Sequence, residues 1–321
     1  MIRFFLRRTV HAVILAAITF VATFLIIQLA PGDPLTRYYS PDIDPETMQI
    51  VRDQLGLDEP LPIQFFKTLG SFARGDLGLS LASYRPVSDI LREAIPRTLL
   101  LTGMALLLQI TIGLLLGMGS AARRRGWLSS SSSLGFLFFY SIPSFYLAYI
   151  LIAIFSLKLQ WLPPAGMFGI DGLAGFTDRF SHMVLPVCVL ALGSTAAFAR
   201  YARGSLLDVR NEEFVRTARA KGLGEGAVMW KHVLKNALVP LATVLGLSVP
   251  VLLGGAVVVE KIFAWPGMGT LLVDSIYARD YPVVLAINLV AAGIVIVGNL
   301  LADVSCFWAD PRIKRPSAVD Q

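Results

Sequence analysis

Apolar residues in this chain are gathered into long runs that contain no Asp, Glu, Lys or Arg. Each run is close to the roughly 17 to 25 residues that an α-helix needs to cross the hydrocarbon layer of a membrane. The six runs are residues 10–29, 98–122, 134–157, 182–199, 237–259 and 281–302. The pattern therefore predicts an all-α membrane protein with about six transmembrane helices.

The composition agrees with a chain that lies in lipid. Hydrophobic residues make up 55% of the 321 residues, charged residues 16%, and the mean hydropathy is +0.66. A soluble protein carries about a quarter charged residues. The first run follows basic residues but is longer than the roughly 7 to 15 apolar residues of a signal peptide, and no clear cleavage site follows, so we expect a retained helix.

The distribution of basic residues predicts the orientation. If the N-terminus is cytoplasmic, the segments assigned to the cytoplasm are rich in Lys and Arg, as the positive-inside rule requires. These residues are Arg3, Arg7, Arg8, Arg123, Arg124, Arg125, Arg200, Arg203, Arg210, Arg216, Arg219, Lys221, Lys231, Lys235, Arg312, Lys314 and Arg315. The two short outside loops hold only Lys158, Arg179, Lys261 and Arg279. Both termini are therefore expected in the cytoplasm.

The spans divide the chain into four predicted parts. These are an N-terminal transmembrane helix at 1–30, an extracytoplasmic cap at 31–97, a core domain at 98–305 with five further spans, and a cytoplasmic tail at 306–321. Proline and turn signals in the cap predict short helices at 45–55 and 62–73 and a turn at Gly75 to Gly78. The two cysteines, Cys188 and Cys306, lie in or beside apolar runs and are interpreted as buried hydrophobes, with no disulfide and no metal site.

The segment between the fourth and fifth spans, residues 200–236, predicts a helix, a glycine turn and a second helix. Asn211 is the expected N-cap of the first helix, and residues 222–226 break it. The second helix, residues 227–236, places Val228, Met229, Val233 and Leu234 near one apolar face. The residues alone leave two interpretations open, an amphipathic hairpin resting on anionic lipid or a docking element for a groove on a soluble partner.

Residues 213–223, with the sequence EFVRTARAKGL, and His232, Asn236 and Leu238 to Pro240 after them resemble a known coupling loop. It is that of the membrane permeases of bacterial ATP-binding-cassette importers, in the dipeptide, oligopeptide and nickel branch. The wider class usually has Glu-Ala-Ala-x-x-x-Gly at this place. Here Arg216-Thr217-Ala218 precedes Gly222, a departure from the general motif that is familiar in this branch.

Further segments extend the resemblance over nearly the whole chain, in the expected order. They are LAPGDP at 29–34, LGLDEPL at 55–61, GDLGLS at 75–80, FAWPGMG at 263–269, RDYPV at 279–283 and DPRI at 310–313. One such match is weak, but six in order are specific.

The resemblance implies a permease subunit of an ATP-driven importer in the bacterial inner membrane, and not an enzyme. It implies half of a translocation pathway for di- or oligopeptides, or alternatively for nickel or a metal chelate. The implied partners are a second homologous permease, two cytoplasmic ATPases, an extracytoplasmic substrate-binding protein and membrane lipid, with no nucleic acid. We expect no cofactor on this chain, because it has no Gly-x-x-x-x-Gly-Lys-Ser/Thr phosphate loop; ATP and Mg belong to the partner ATPases.

The resemblance also implies a set of coupling residues. They are Arg216, Thr217, Ala218, Lys221, Gly222, Leu223, Gly224 and Glu225. Glycine allows close approach or positive φ, Ala218 keeps one helix face thin, and the charged side chains are suited either to pairing with an ATPase surface or to a solvated face.

Polar residues inside the spans are the candidates for the pathway. They are Gln109, Ser141, Asn288 and Asn299. Polar groups at membrane depth usually turn inward, so they either line a conduit or bond neighbouring helices. Gly113 and Gly117 form a pair suited to close helix packing. An ion-coupled secondary transporter is a distant alternative, because the spans hold no ionisable group beyond His11 and His182 near their ends.

Overall fold

The computed structural model describes residues 2–30, 49, 52, 56, 58–122, 141–169 and 175–309, without the side chains of 2–5 and 306–309. The main elements of this part of the chain are helices. They are α1 (Ile2–Leu29), α2 (Leu61–Ala73), α3 (Val87–Ala122), α4 (Ser144–Leu151, continued by a π-helical stretch at Ile152–Lys158), α5 (Phe176–Arg210), α6 (Glu213–Ala220), α7 (Glu225–Ile262), α8 (Met268–Ala278) and α9 (Tyr281–Ala309). The all-α fold class is confirmed.

Five described helices are long and apolar enough to cross a membrane, namely α1, α3, α5, α7 and α9. They contain five of the six predicted runs. The predicted span at 134–157 lies partly outside the described residues, and its described part is the shorter apolar segment Ser144–Lys158. The count of six spans therefore stays a prediction, as does the predicted helix at 45–55. Helix α2 agrees with the predicted helix at 62–73, whereas α8 was not predicted.

The chain forms two compact units. The first consists of Met1–Arg97 and Pro266–Ile294, and the second of Thr98–Trp265 and Val295–Gln321. These boundaries follow contacts and not order along the chain, and the four-part division from the sequence stays a prediction.

In the first unit, a buried carboxylate joins two segments that are about two hundred residues apart. Asp280 is 2% exposed. Its carboxylate accepts hydrogen bonds from Ser80 Oγ at 2.5 Å, from the Leu81 N–H at 3.0 Å and from the Ala82 N–H at 3.2 Å. Hydrogen bonds to an ionised group are stronger than neutral ones. Asp280 therefore fixes the loop that leads into α3.

In the second unit, glycines allow α3 to pack closely on α5. A Cβ added to Gly113 would lie 2.7 Å from Phe198 Cδ1, and one added to Gly117 would lie 2.7 Å from Ala202 Cβ. Contacts this short are not tolerated, so the two helices approach as closely as they do because these positions lack a side chain. The predicted packing role of the pair is confirmed.

The same unit buries an acidic side chain that sequence analysis did not single out. Glu260, near the end of α7, is fully buried and accepts a hydrogen bond from Thr98 Oγ1 at 2.7 Å. Its backbone carbonyl accepts from the Trp265 N–H at 2.8 Å. A buried carboxylate requires a hydrogen-bond donor such as the Thr98 hydroxyl, and this side-chain bond fixes the end of α7 against α3.

Candidate functional site

The segment predicted as the coupling loop is narrower than residues 200–236. Helix α5 continues to Arg210, and α7 begins at Glu225. The hairpin between them, which we call the coupling hairpin, comprises residues 211–224 and contains α6. The expected N-cap role of Asn211 was wrong. Its N–H continues the last turn of α5 by donating to the Asp208 carbonyl at 3.2 Å, and α6 begins after Glu212.

The second helix of the predicted hairpin is also not separate. Residues 227–236 are the first turns of α7, and Val228–Leu234 within them are π-helical. The predicted apolar face is present, because Val228, Val233 and Leu234 are buried. Since α7 is one continuous helical segment, a displacement of its first turns is transmitted along the span.

Helix α6 is held by a hydrophobic cluster. Its Val215 is fully buried and its Ala218 is 4% exposed. The cluster joins α6 to the ends of three spans and consists of Met118 and Ala121 from α3, Leu206 from α5, Val215 and Ala218, and Val228, Val233, Leu234 and Ala237 from α7. Packed side chains transmit displacement because they resist compression. A force on α6 therefore reaches α3, α5 and α7 together.

The turn after α6 is a Schellman motif. The Gly222 N–H donates to the Arg219 carbonyl at 2.9 Å, and the Leu223 N–H donates to the Ala218 carbonyl at 3.4 Å, which are the two bonds of that motif. Gly222 has φ +81°, in the left-handed region. Gly224 has φ −62° and ψ 149°, an extended conformation open to any residue. Of the two predicted glycines, only Gly222 is required by the backbone.

Three charged side chains close the coupling hairpin. The Arg219 guanidinium donates to both carboxylate oxygens of Glu225, at 2.7 and 3.4 Å. Arg210 lies 3.6 Å from the same carboxylate and also donates to the Ala121 carbonyl at 2.8 Å. The sequence left Glu225 either to pair with an ATPase surface or to lie on a solvated face, and in the structure its carboxylate pairs with Arg219 and Arg210 of the same chain. Arg210 connects the end of α3 to the start of α7 through this pair.

The outer face of the coupling hairpin combines cationic and apolar side chains. Arg216, Thr217 and Lys221 are exposed, and no ion pair to Arg216 or Lys221 occurs within the described part of the chain. Two large apolar side chains of the hairpin are also substantially exposed, Phe214 at 42% and Leu223 at 40%, and so is Trp230 in the first turns of α7, at 59%. Exposed aromatic residues among cations are typical of a surface that binds a protein partner.

The four predicted pathway residues lie in different surroundings. Gln109 is 1% exposed, and its amide nitrogen donates to Ser248 Oγ at 2.9 Å, which joins α3 to α7. Asn299 lies beside Gly246, where α7 and α9 meet. Ser141 is exposed and Asn288 half-buried. Gln109 bonds a neighbouring helix, which was the alternative interpretation, and Asn299 lies at a contact between helices. A role in lining the pathway stays a prediction for all four.

Taken with the fold, this site defines the chain as a multi-pass membrane protein with an exposed hairpin built on the ends of three spans. Residues 109–315 match the family described as binding-protein-dependent transport system inner membrane component, and residues 1–102 match the N-terminal part of such components. The chain belongs to this family and is an inner-membrane permease component, not an enzyme.

Individual relatives agree over the whole length. The chain is 39% identical over 316 residues to the oligopeptide transport system permease protein AppB of Bacillus subtilis, covering 98% of this chain and 100% of that protein. It is 38% identical over 314 residues to the glutathione transport system permease protein GsiC of Escherichia coli, covering 98% and 99%. The fold resembles the inward-facing MetNI methionine ABC transporter with a TM-score of 0.57 at 19% identity, over 70% of this chain and 99% of that one.

Several residues at this site were not predicted as functional. Arg210 and Arg219 were noted only for their charge, and Phe214 and Trp230 were not assigned a role. The exposure of Phe214 and Trp230 depends on how α6 and α7 pack. The eight residues of α6 are too few for a sequence pattern to predict that packing. Helical spacing gave no signal for Phe214, because it lies four residues before the buried Ala218 and therefore on nearly the same side of α6.

Proposed function

We propose that this permease forms half of a translocation pathway for di- or oligopeptides. Support comes from its full-length similarity to permeases named for oligopeptides and for glutathione, itself a small peptide. Nickel or a metal chelate is the alternative substrate, and the transport assay compares nickel with a peptide. In the described residues there is no group of three or more His, Cys, Asp or Glu side chains placed to hold a metal ion.

The proposed assembly contains a second homologous permease, two cytoplasmic ATPases that bind ATP and Mg, and an extracytoplasmic binding protein. In this arrangement both termini and the coupling hairpin lie in the cytoplasm, and the loop held by Asp280 lies outside. The exposed cations of the hairpin favour this side, because cytoplasmic loops retain positive charge. They also favour a partner whose groove carries acidic residues.

The coupling hairpin acts as the lever in this proposal. The observation that carries it is the burial of Val215 and Ala218 in a cluster shared by α3, α5 and α7. When the ATPases close on ATP, they displace α6, and the cluster transmits that displacement to the three spans. Arg216, Thr217, Lys221 and Leu223 contact the ATPase, Ala218 seats the helix, and Gly222, Gly224 and Glu225 shape the turn.

The test is affinity purification of the tagged chain from its native membrane, followed by reconstitution into vesicles and measurement of ATP-dependent uptake. Labelled tripeptide and ⁶³Ni are the two substrates compared. The variant is Lys221→Glu, and the matched control is Arg92→Glu, an exposed arginine outside the hairpin.

Recovery of a second permease and an ATPase with the wild-type chain and the control, but loss of the ATPase from the Lys221 variant, supports the proposal. Uptake of peptide and not nickel supports the substrate. A wild-type chain that purifies alone and transports without ATP contradicts the assembly, and uptake of nickel alone contradicts the peptide assignment.

A further inference from the structure

Helix α2 exposes a continuous apolar stripe. Positions spaced three or four residues apart lie on one face of a helix, and the exposed residues Pro62, Phe66, Leu69 and Ala73 follow that spacing, with Ile63 beside them. Phe66 is 68% exposed, Ile63 46% and Leu69 39%. Lys67, the one charged residue of α2, lies at the edge of the stripe and pairs with Glu59. The face is thus entirely apolar and has no cover among the described residues of the first unit.

The face of α2 that adjoins the stripe packs against a membrane span. The Phe65 ring meets Phe20 and Phe24 of α1 edge-to-face, with centroids 5.6 and 5.3 Å apart, and the Phe72 ring lies 5.7 Å from Phe20. Gln64 accepts a hydrogen bond from the Gln28 side chain at 3.0 Å. Such edge-to-face aromatic contacts fix the helix firmly against α1.

These contacts define the level of α2 along the span. Phe20 is nine residues before the end of α1, which is about 13 Å along a helix, and the hydrocarbon layer is about 30 Å thick. Helix α2 also packs against Tyr281 and Leu285 in the first turns of α9. It therefore lies beside the spans at the level where they enter hydrocarbon, and not above them in water.

The half of α1 beside α2 also exposes apolar side chains, on the side of α1 away from Phe20 and Phe24. The same half of α1 exposes Ile18, Leu25, Ile26 and Leu29, at 59, 51, 68 and 82%. From the level of α2 and its uncovered stripe, we propose that α2 is a non-spanning helix embedded in one leaflet, with its apolar stripe in contact with lipid acyl chains. Lys67 extends from the edge of the stripe towards the headgroups, as long cationic side chains do at membrane interfaces.

The test uses spin labels on the complete transporter in lipid nanodiscs. Cys188 and Cys306 are the two native cysteines and are first replaced by alanine in a background that retains uptake. Labels are then placed singly by Phe66→Cys and Leu69→Cys. Ile26→Cys on α1 is the lipid reference, and Arg74→Cys, exposed just after α2, is the water reference. Collision rates are measured with oxygen, which partitions into lipid, and with a water-soluble nickel chelate.

A lipid contact predicts that both α2 labels behave like the Ile26 label, with frequent oxygen collisions and few collisions with nickel. Frequent nickel collisions, as at Arg74, would show that the stripe faces water and would overturn the proposal. Low collision rates with both reagents would show that protein covers the stripe, for example the second permease, and would also overturn it. Neither contrary result bears on ATPase coupling, which is measured separately by uptake.

Discussion

Glu225 is the residue whose role the structure changes most, and its replacement gives a quantitative test. If the carboxylate serves only within the chain, Glu225→Gln removes an exposed pair with Arg219 and a weaker one with Arg210. The Glu225 side chain is 64% exposed, so each pair contributes about 0.2 to 1 kcal/mol after screening. Losing both pairs therefore costs about 1 kcal/mol. This lowers about fivefold the ratio of hairpins closed by Glu225 to hairpins in which these pairs are broken.

If Glu225 instead pairs with a charge buried in the ATPase interface, the loss is larger. Truncating one partner of a buried interfacial charge pair costs about 2 to 5 kcal/mol, which weakens binding about 30-fold or more. The two roles therefore differ by a factor that an affinity measurement resolves.

The assay is the Kd of the detergent-purified ATPase for the permease complex, with peptide uptake as a second readout. We expect Glu225→Gln to weaken ATPase binding less than about fivefold, and Lys221→Ala, which removes an exposed cation from the same hairpin, to weaken it more. A 30-fold or greater loss with Glu225→Gln, at least equal to that with Lys221→Ala, would refute the intramolecular role.

Three further predictions concern backbone geometry and packing. Gly222→Ala adds about 1 kcal/mol of strain at positive φ and lowers coupled ATPase activity, whereas Gly224→Ala leaves it unchanged; equal effects would exclude backbone strain as the cause. Gly117→Ala destabilises the chain by about 1 to 3 kcal/mol through overpacking, whereas Gly119→Ala, with open space around it, raises helix stability. Thermal unfolding in detergent should therefore give a lower unfolding temperature for the Gly117 variant than for the Gly119 variant. Asp280→Asn weakens charge-assisted hydrogen bonds by about 2 kcal/mol, so amide hydrogen exchange in the loop that this carboxylate holds should accelerate more than tenfold, and unchanged exchange would contradict the bonding described.

The spans and the location of the hairpin could be predicted because each depends on neighbouring residues. A charge-free run forms a helix in lipid because its backbone groups must bond to one another within the run. The three glycines at 222, 224 and 226 together mark a break between helices. The close approach at Gly113 and Gly117 was likewise readable from spacing. The ends of these helices were harder to predict, because α5 and α7 continue as helices through charged residues beyond the apolar runs.

The remaining contacts depend on distant parts of the chain. Asp280 and Ser80 are each ordinary polar residues beside turns, and only the fold brings them together. Glu260 lies one residue beyond a predicted span and gave no sign of full burial. The pairing of Arg219 with Glu225 follows from the turn between them, since six residues along a straight helix would place them on different faces.

ATP-dependent peptide uptake by the reconstituted assembly shows whether the cluster around Val215 couples ATP hydrolysis to transport. Vesicles would contain the wild-type complex or one carrying Val215→Asp, which places a charge in the cluster that joins α6 to the spans, with Arg92→Glu as the control. We predict uptake of labelled tripeptide that requires ATP in the wild type and the control, and continued ATP hydrolysis without uptake in the Val215 variant. Uptake that persists without ATP, or that is unaffected by Val215→Asp in a correctly assembled complex, would contradict the account.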